Sequence, residues 1–307
     1  MAEYEVEAGH RSGYVALIGR PNAGKSTLIN TILGQTIAAV SPKPQTTRKD
    51  QLGILTLPEA QIIFVDTPGI HKAGHKLGDA MNLAAKEALE DADLLLVMFD
   101  LSEPPNADDQ RVAAVVEDLI KPPETLVLLN KLDSVPEEEV PARKRAFDEL
   151  LPGRARQSLS ALDNAQVMEL VGRVIARLPE GPRYYPREQI TTTYEREIAA
   201  DLIRSAAMEL LRQELPHSIA VRVESYKERG DHGAYIRATI FTERVSQRGI
   251  VIGKGGSMLK AIGTLARQEI EEMSGRAVFL DLHVKVMARW RNDPQALSRF
   301  GYLVPRD

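Results

Sequence analysis

"GRPNAGKS", residues 19 to 26, decides the fold of the first half of the chain. It follows the short apolar run "YVALI" (14 to 18) and leads into "STLINTIL" (26 to 33), so a strand enters a glycine-rich turn and a helix leaves it. The pattern G-x-x-x-x-G-K-S in this context surrounds nucleotide phosphates with backbone N–H groups and a helix N-terminus. Lys25 then reaches the β and γ phosphates, and the Ser26 hydroxyl ligates Mg²⁺. A plain strand-to-helix turn without a ligand accounts for neither side chain.

Working outward, "QLGILTL" and "QIIFVD" flank "PEA" as a hairpin, and "DADLLLVMFD" and "ETLVLLNK" are wholly apolar strands of the buried parallel type. The helical run around "DDQRVAAVVEDLI" separates them, and a last strand near "RARQSLS" precedes the helix "NAQVMELVGRVIARL". The expectation is an α/β domain: a mixed, mostly parallel open sheet with helices on both faces.

The chain has 307 residues, enough for about two domains. It has no cysteine, which excludes a disulfide scaffold or thiolate zinc site and fits a reducing compartment. No apolar stretch reaches a membrane span and no secretory leader is evident, so the expected location is the cytoplasm. No helix is basic and amphipathic enough for stable membrane association, so any membrane contact is expected to be peripheral. The net charge of -4 is uneven: residues 1–180 carry 19 basic against 27 acidic groups, and residues 181–307 carry 20 against 16. A basic second half hints at a nucleic-acid partner. The proline-broken stretch "LPEGPRYYPREQ" places the linker at 181–190, between domains at 1–180 and 191–307.

Two further motifs specify the nucleotide. "NKLD", residues 130 to 133, ends an apolar strand, where open sheets place ligands. Guanine offers N1–H and an N2 amino group side by side, and the Asp133 carboxylate accepts both; adenine offers neither. Asn130 ties this loop to the phosphate loop, the Lys131 stem lies over the ring, and the Ala161 N–H in "SAL" (Ser160, Ala161, Leu162) meets guanine O6. "FVDTPGI" supplies the rest: Asp66 holds the magnesium and Gly69 brings an N–H to the γ phosphate. The polar segment "SPKPQTTRKD" carries Thr46 and Thr47, and Thr47 is the expected metal ligand in a loop that closes on triphosphate. A plain connector is its alternative.

A second glycine-rich stretch, "VIGKGGSMLKAIG" at 251 to 263, is not another phosphate loop, because no serine or threonine follows Lys254 and a helix precedes it. It reads as helix, G-x-x-G turn, helix, with Ser257 as N-cap and Met258, Leu259, Ile262, Leu265, Ala266, Ile270 and Met273 on one face. With "EREIAADLIRSAAMELLRQEL" and two strands before it and "RAVFLDLHVKVMA" after it, this order resembles a KH domain of the second type. That resemblance implies an α+β fold in which Gly253, Lys254, Gly255 and Gly256 clamp a single-stranded RNA backbone, with Lys260 and Arg248 adding charge. Trp290 and Phe300 are expected in a small core rather than as base-stacking groups.

The motifs "GRPNAGKSTLIN", "KPQTTR", "DTPGIH", "NKLD" and "SAL" stand in the order of the small G-domains of the translational GTPase-like superfamily, and the whole chain closely resembles the Era family. The resemblance implies a GTP-hydrolysing switch that takes GTP, GDP and Mg²⁺. Its implied partners are the 3' end of 16S ribosomal RNA and the small ribosomal subunit during assembly; no DNA is expected. It assigns Gly24, Lys25, Ser26 and Thr27 to phosphate and magnesium, Thr47 to the first switch, Asp66, Thr67, Pro68 and Gly69 to the second switch, and Asn130, Lys131 and Asp133 to guanine; Gly19, Asn22 and Ala23 of the same loop are expected nucleotide-binding residues beside them. Ala73 and Gly74 depart from the family's pattern. Ras-type domains orient the attacking water with a glutamine where this chain has Ile70, so slow intrinsic turnover is expected, with Lys25, Thr47, Asp66, Gly69 and Asn22 carrying the chemistry. Asn22 resembles the potassium ligand of related domains, so K⁺ is a second candidate cation; capping of its own loop is the alternative. Two other readings are a nucleotide-controlled protein- or membrane-docking switch with a degenerate KH domain, and a metabolic kinase, for which "NKLD" would be superfluous.

Overall fold

The structure is a computed structural model that describes residues 9–39, 48, 51–68, 75–212, 215–228 and 233–302. It divides into two compact units. One continues through Thr192, and the other holds Thr193 onward with two short earlier pieces around 36–39 and 75–81.

In the first unit the elements are β1 (Arg11–Gly19), α1 (Lys25–Leu33), β2 (Gln51–Thr56), β3 (Ala60–Asp66), α2 (Lys76–Glu90), β4 (Leu94–Asp100), α3 (Ala107–Glu117), β5 (Glu124–Asn130), α4 (Val140–Asp148), β6 (Ala155–Ser158) and α5 (Asn164–Ile175). The first six residues of α2, 76–81, belong to the other unit. The sheet order is β2-β3-β1-β4-β5-β6, antiparallel only between β2 and β3. All seven residues of β3 and of β4 are buried, as strands covered on both faces require. The strand order reverses about β1, so the C-terminal ends of β1, β3, β4 and β5 converge at the point where such sheets bind ligands.

Two helices, α2 and α4, escaped the sequence reading. In α4, "VPARKRAFD", only Phe147 is buried, so no apolar stripe announces it. The proline-rich segment after α5 lies along the first unit. Gln61 Oε1 accepts from the Tyr184 and Tyr185 N–H groups at 2.7 and 2.9 Å, and the Ile54 N–H donates to the Ile190 carbonyl at 2.7 Å.

The second unit runs α6 (Glu195–Leu210), β7 (Ala220–Glu228), β8 (Ala234–Thr242), α7 (Val245–Ile252), α8 (Ser257–Ser274), β9 (Val278–Val286) and α9 (Pro294–Arg299). Its sheet is β7-β8-β9, with β7 and β8 antiparallel and β8 and β9 parallel. Ile262, Ala266 and Ile270, four apart on α8, meet Ile198, Leu202 and Ala206 of α6 and Ile236, Ala238 and Ile240 of β8 in one core. Met258, Leu259, Leu265 and Met273 pack against its margin. Trp290 and Phe300 are buried, meet edge to face at 5.2 Å, and Trp290 Nε1 donates to the Ser218 carbonyl at 2.9 Å. Their expected packing role is what the structure shows.

Candidate functional site

Between β1 and α1 the phosphate loop turns through Asn22 at φ 64° and Gly24 at φ 105°. Gly24 is required twice over: L side chains rarely adopt that φ, and a Cβ there would lie 2.1 Å from Asn130 Nδ2. At Gly19 a Cβ would meet the Met98 carbonyl oxygen at 2.4 Å. Lys25 is buried, and its Nζ donates to the Gly19 and Arg20 carbonyls at 3.1 and 3.3 Å. Burial lowers its pKa, and the Asp66 carboxylate opposes that shift. Ser26 Oγ donates to Asp66 Oδ2 at 2.7 Å.

A hydroxyl and a carboxylate touching beside a buried lysine fit Mg²⁺, a hard ion that accepts few protein oxygens and completes its shell with water and phosphate. Ser26 and Asp66 would hold it, and it would supply charge neutralisation to the phosphates. Thr47 and Gly69, the other expected contributors to this chemistry, lie outside the described residues, as do Thr46, Ile70, Ala73 and Gly74.

The base-reading loop is fastened by one buried side chain. Asn130, ending β5, donates from Nδ2 to the Ala23 carbonyl at 2.7 Å and accepts the Ala161 N–H on Oδ1 at 2.8 Å, so it joins three loops. Lys131 follows at φ 61°, and its Nζ reaches Asp100 Oδ2 at 2.7 Å. Asp133 is exposed in a single 3₁₀ turn, Leu132–Ser134.

Several of the expected contributors already have partners within the protein. The Ala161 N–H already serves Asn130, so reading guanine O6 requires that hydrogen to be shared. Leu162 contributes no enclosed side chain: it is 74% exposed and its N–H goes to Ser160 Oγ at 3.3 Å. The buried Thr67 hydroxyl donates to the Leu17 carbonyl at 2.6 Å, which fastens the end of β3 to β1. Pro68 is buried beside it, and Thr27 is half-buried on α1.

A charged network behind the loops was missed. Asp100 Oδ2 accepts from Lys131 and from Arg20 at 3.1 Å, and Arg20 also meets Glu103 at 2.9 Å and the fully buried Asp109 at 3.3 Å. Burial pushes the Asp100 carboxyl up, but hydrogen bonds from Lys131 and Ser102 outweigh it and hold the pKa below the usual range. Burial pushes Asp109 up despite its bond from the Asn106 N–H and its contact with Arg20. The available signal was position, since Asp100 closes an otherwise apolar strand as Asp66 and Asn130 close theirs. Thr31 Oγ1, donating to the Ala161 carbonyl at 2.8 Å, and Gln166 Oε1, accepting the Ser160 N–H at 2.8 Å, brace the "SAL" turn.

In the second unit Gly253, Gly255 and Gly256 have φ of 74°, 59° and 82°. A Cβ on Gly253 would lie 2.7 Å from the Met258 backbone nitrogen, so the turn between α7 and α8 is closed tightly by glycine. The N-cap of α8 is Gly256 in the left-handed region with no side-chain cap; Ser257, expected there, is already helical. Lys254 and Lys260 are exposed, as is Arg248 on α7. Beside the turn lies a cleft of about 410 Å³, lined by Gly256, Leu259, Lys260, Thr264, Arg267 and Leu282 among others. Arg267 was overlooked, although it sits seven residues from Lys260, two turns along the same helical face.

A phosphate loop at a strand-order reversal with an Asn-Lys-x-Asp loop beside it, followed by α-β-β-α-α-β around a G-x-x-G turn, defines a P-loop G-domain protein with a type II KH domain. Two families match accordingly, one described as a 50S ribosome-binding GTPase over residues 14–131 and the KH domain over residues 214–291. The chain is 44% identical over 292 residues, 95% of its length and 97% of the relative's, to GTPase Era of Heliobacterium modesticaldum, and it belongs to the GTPase Era family. GTPase Era of Thermotoga maritima is 46% identical over 286 residues, 92% of this chain and 93% of its own. Among solved structures, Era in complex with MgGDPNP and nucleotides 1506–1542 of 16S ribosomal RNA matches with TM-score 0.88 and 40% identity, covering 96% of this chain and 100% of that one. A point variant of Aquifex aeolicus Era bound to GDP.AlF4- matches with TM-score 0.87, the same identity and the same coverage. No helix among the described residues is long and apolar enough to cross a membrane.

Proposed function

We propose that this protein is an Mg²⁺-dependent GTP hydrolase whose KH domain binds single-stranded RNA at the 3' end of 16S ribosomal RNA, acting in the cytoplasm in assembly of the small ribosomal subunit. The observation that carries the nucleotide half is the bridge at Asn130, which holds the phosphate loop, the base loop and the "SAL" turn as one site. In this reading Gly19, Asn22, Ala23, Gly24, Lys25, Ser26 and Thr27 surround phosphate, and Ser26 and Asp66, with Thr47, hold the metal. Asp133 reads guanine N1–H and N2. Lys254 and the surrounding glycines clamp the RNA backbone, with Arg248 and Lys260 adding charge. The Era structure in complex with MgGDPNP and 16S nucleotides supports the pairing of the two ligands in one fold.

K⁺ as a hydrolytic cofactor belongs to this proposal through Asn22, whose left-handed backbone places it at the bend of the phosphate loop. Equal hydrolysis in sodium and potassium at matched ionic strength would remove that cation role. Two measurements test the whole: competition of labelled GTP with ATP, and crosslinking to cellular RNA followed by sequencing. GTP selectivity with crosslinks at the 16S 3' end is expected; crosslinks scattered over all RNA would overturn the RNA assignment.

A further inference from the structure

β9 is an edge strand with two different faces. Leu280 and Leu282 line the cleft beside the G-x-x-G turn. Phe279, Asp281, His283 and Lys285 alternate to the opposite face of the sheet. There Phe279 is 65% exposed, and its ring stacks on Tyr235 of β8 at 5.7 Å and 12° between planes, the two residues being register partners. One pair further along, Arg237 lies over the Tyr235 ring at 5.8 Å, and its Nε meets Asp281 at 2.9 Å. Lys285, Lys227 and Arg222 add positive charge on this face, against Glu224 and Asp281. An exposed apolar ring braced flat on a second ring, with surplus cations beside it, meets the two needs of single-stranded nucleic acid: a π-face for a base and charge for phosphates.

The geometry points to a second RNA contact on the exposed Tyr235–Phe279 end of this face of the KH sheet, whose other end is covered where Phe241 packs with Trp290 and Phe300: Phe279 stacks on a base, Arg237 takes a flanking phosphate, and Lys285, about 20 Å further along β9, takes one further along a strand that leaves the cleft across the β9 edge. This rests on the RNA-binding reading above. Phe279 and Leu280 are adjacent in the chain, so a strand in the cleft needs to cross only the sheet edge to reach that exposed end. An RNA confined to the cleft, about four nucleotides at the clamp, would not touch it.

The test titrates the full-length protein with RNA of 16S nucleotides 1506–1542 and with truncations of it down to about six nucleotides. Phe279→Ala is expected to weaken the long RNA by about 5- to 150-fold, the usual range for losing one base–aromatic stack, and to leave the shortest binding RNA unchanged. Lys285→Gln should lower the salt slope of the long RNA alone, by about 0.7. Both side chains are largely exposed, so circular dichroism and Tm should stay as in the parent. Equal weakening of long and short RNA, or no weakening of either, overturns the second contact. So does a Phe279→Ala protein that keeps its RNA affinity but loses binding to isolated small-subunit proteins. If the parent binds none of the RNAs, the RNA-binding reading fails as well, a result distinct from a failure of Phe279 alone.

Discussion

Asn130 shows what single residues do in this site. Its amide has both ends committed, to Ala23 and Ala161, so its shape fixes the spacing between phosphate and base. Gly24→Ala would drive a methyl group against that amide at a backbone angle costing about 1–3 kcal/mol. The expected result is a folded protein with strongly reduced GTP affinity, checked by nucleotide titration and a melting curve. Asp133→Asn should weaken GTP and favour xanthosine triphosphate, whose C2 carbonyl accepts from the new amide; an unchanged GTP preference would remove Asp133 from the base pocket. The proposed roles rest on "GKS" and "NKLD", patterns that the sequence displays directly. The partners of Thr67 and the Ala161 N–H are not legible there, since they depend on how β1, β3 and β5 lie side by side, which no local spacing records.

At the scale of elements, α8 combines a readable face with an unreadable one. The four-residue spacing of Ile262, Ala266 and Ile270 announced its buried side, whereas Glu269 gave no sign of its environment. Its carboxyl is pushed up to about 7, first by burial and then by the charges of Glu209 on α6 and Glu272. Its Oε2 has no hydrogen-bond partner among the described residues. A carboxyl with a raised folded pKa contributes stability fully below its unfolded value, near 4.5, and that contribution is lost as pH rises through the folded value. Glu269→Gln should therefore raise Tm at pH 8 and change it little at pH 5; an equal shift at both would show that charge is not the cause. Trp290→Ala, which empties the centre of the Trp290–Phe300 cluster and leaves the Ser218 carbonyl without its donor, should destabilise the protein by about 3–5 kcal/mol, read from denaturant unfolding. The helix α4 stayed hidden for the opposite reason to α8: one buried phenylalanine among charged residues makes no periodicity.

Over the whole molecule, the proposed function gives two glycine-rich turns different work with one chemical idea, the close approach of backbone to phosphate. The first has Lys25 buried and a hydroxyl touching a carboxylate, a site for a metal-bound triphosphate. The second has Lys254 exposed between two helices beside an open cleft, a site for a strand passing by. The order of elements around each turn, and the acidic and basic halves of the chain, are legible in the sequence alone. The course of the proline segment along β2 and β3 is not, because prolines mark a break in secondary structure without saying what the chain then lies against. The central claim is that nucleotide and RNA are held by separate sites, and it is tested most directly by the double variant Lys254→Asp, Gly255→Asp. Two negative charges would then stand where the RNA backbone comes closest. Titrated in parallel with a GTP analogue and with RNA of 16S nucleotides 1506–1542, the folded variant should lose most RNA affinity and keep the parent's GTP affinity. Normal RNA binding, or loss of GTP instead, would contradict the account.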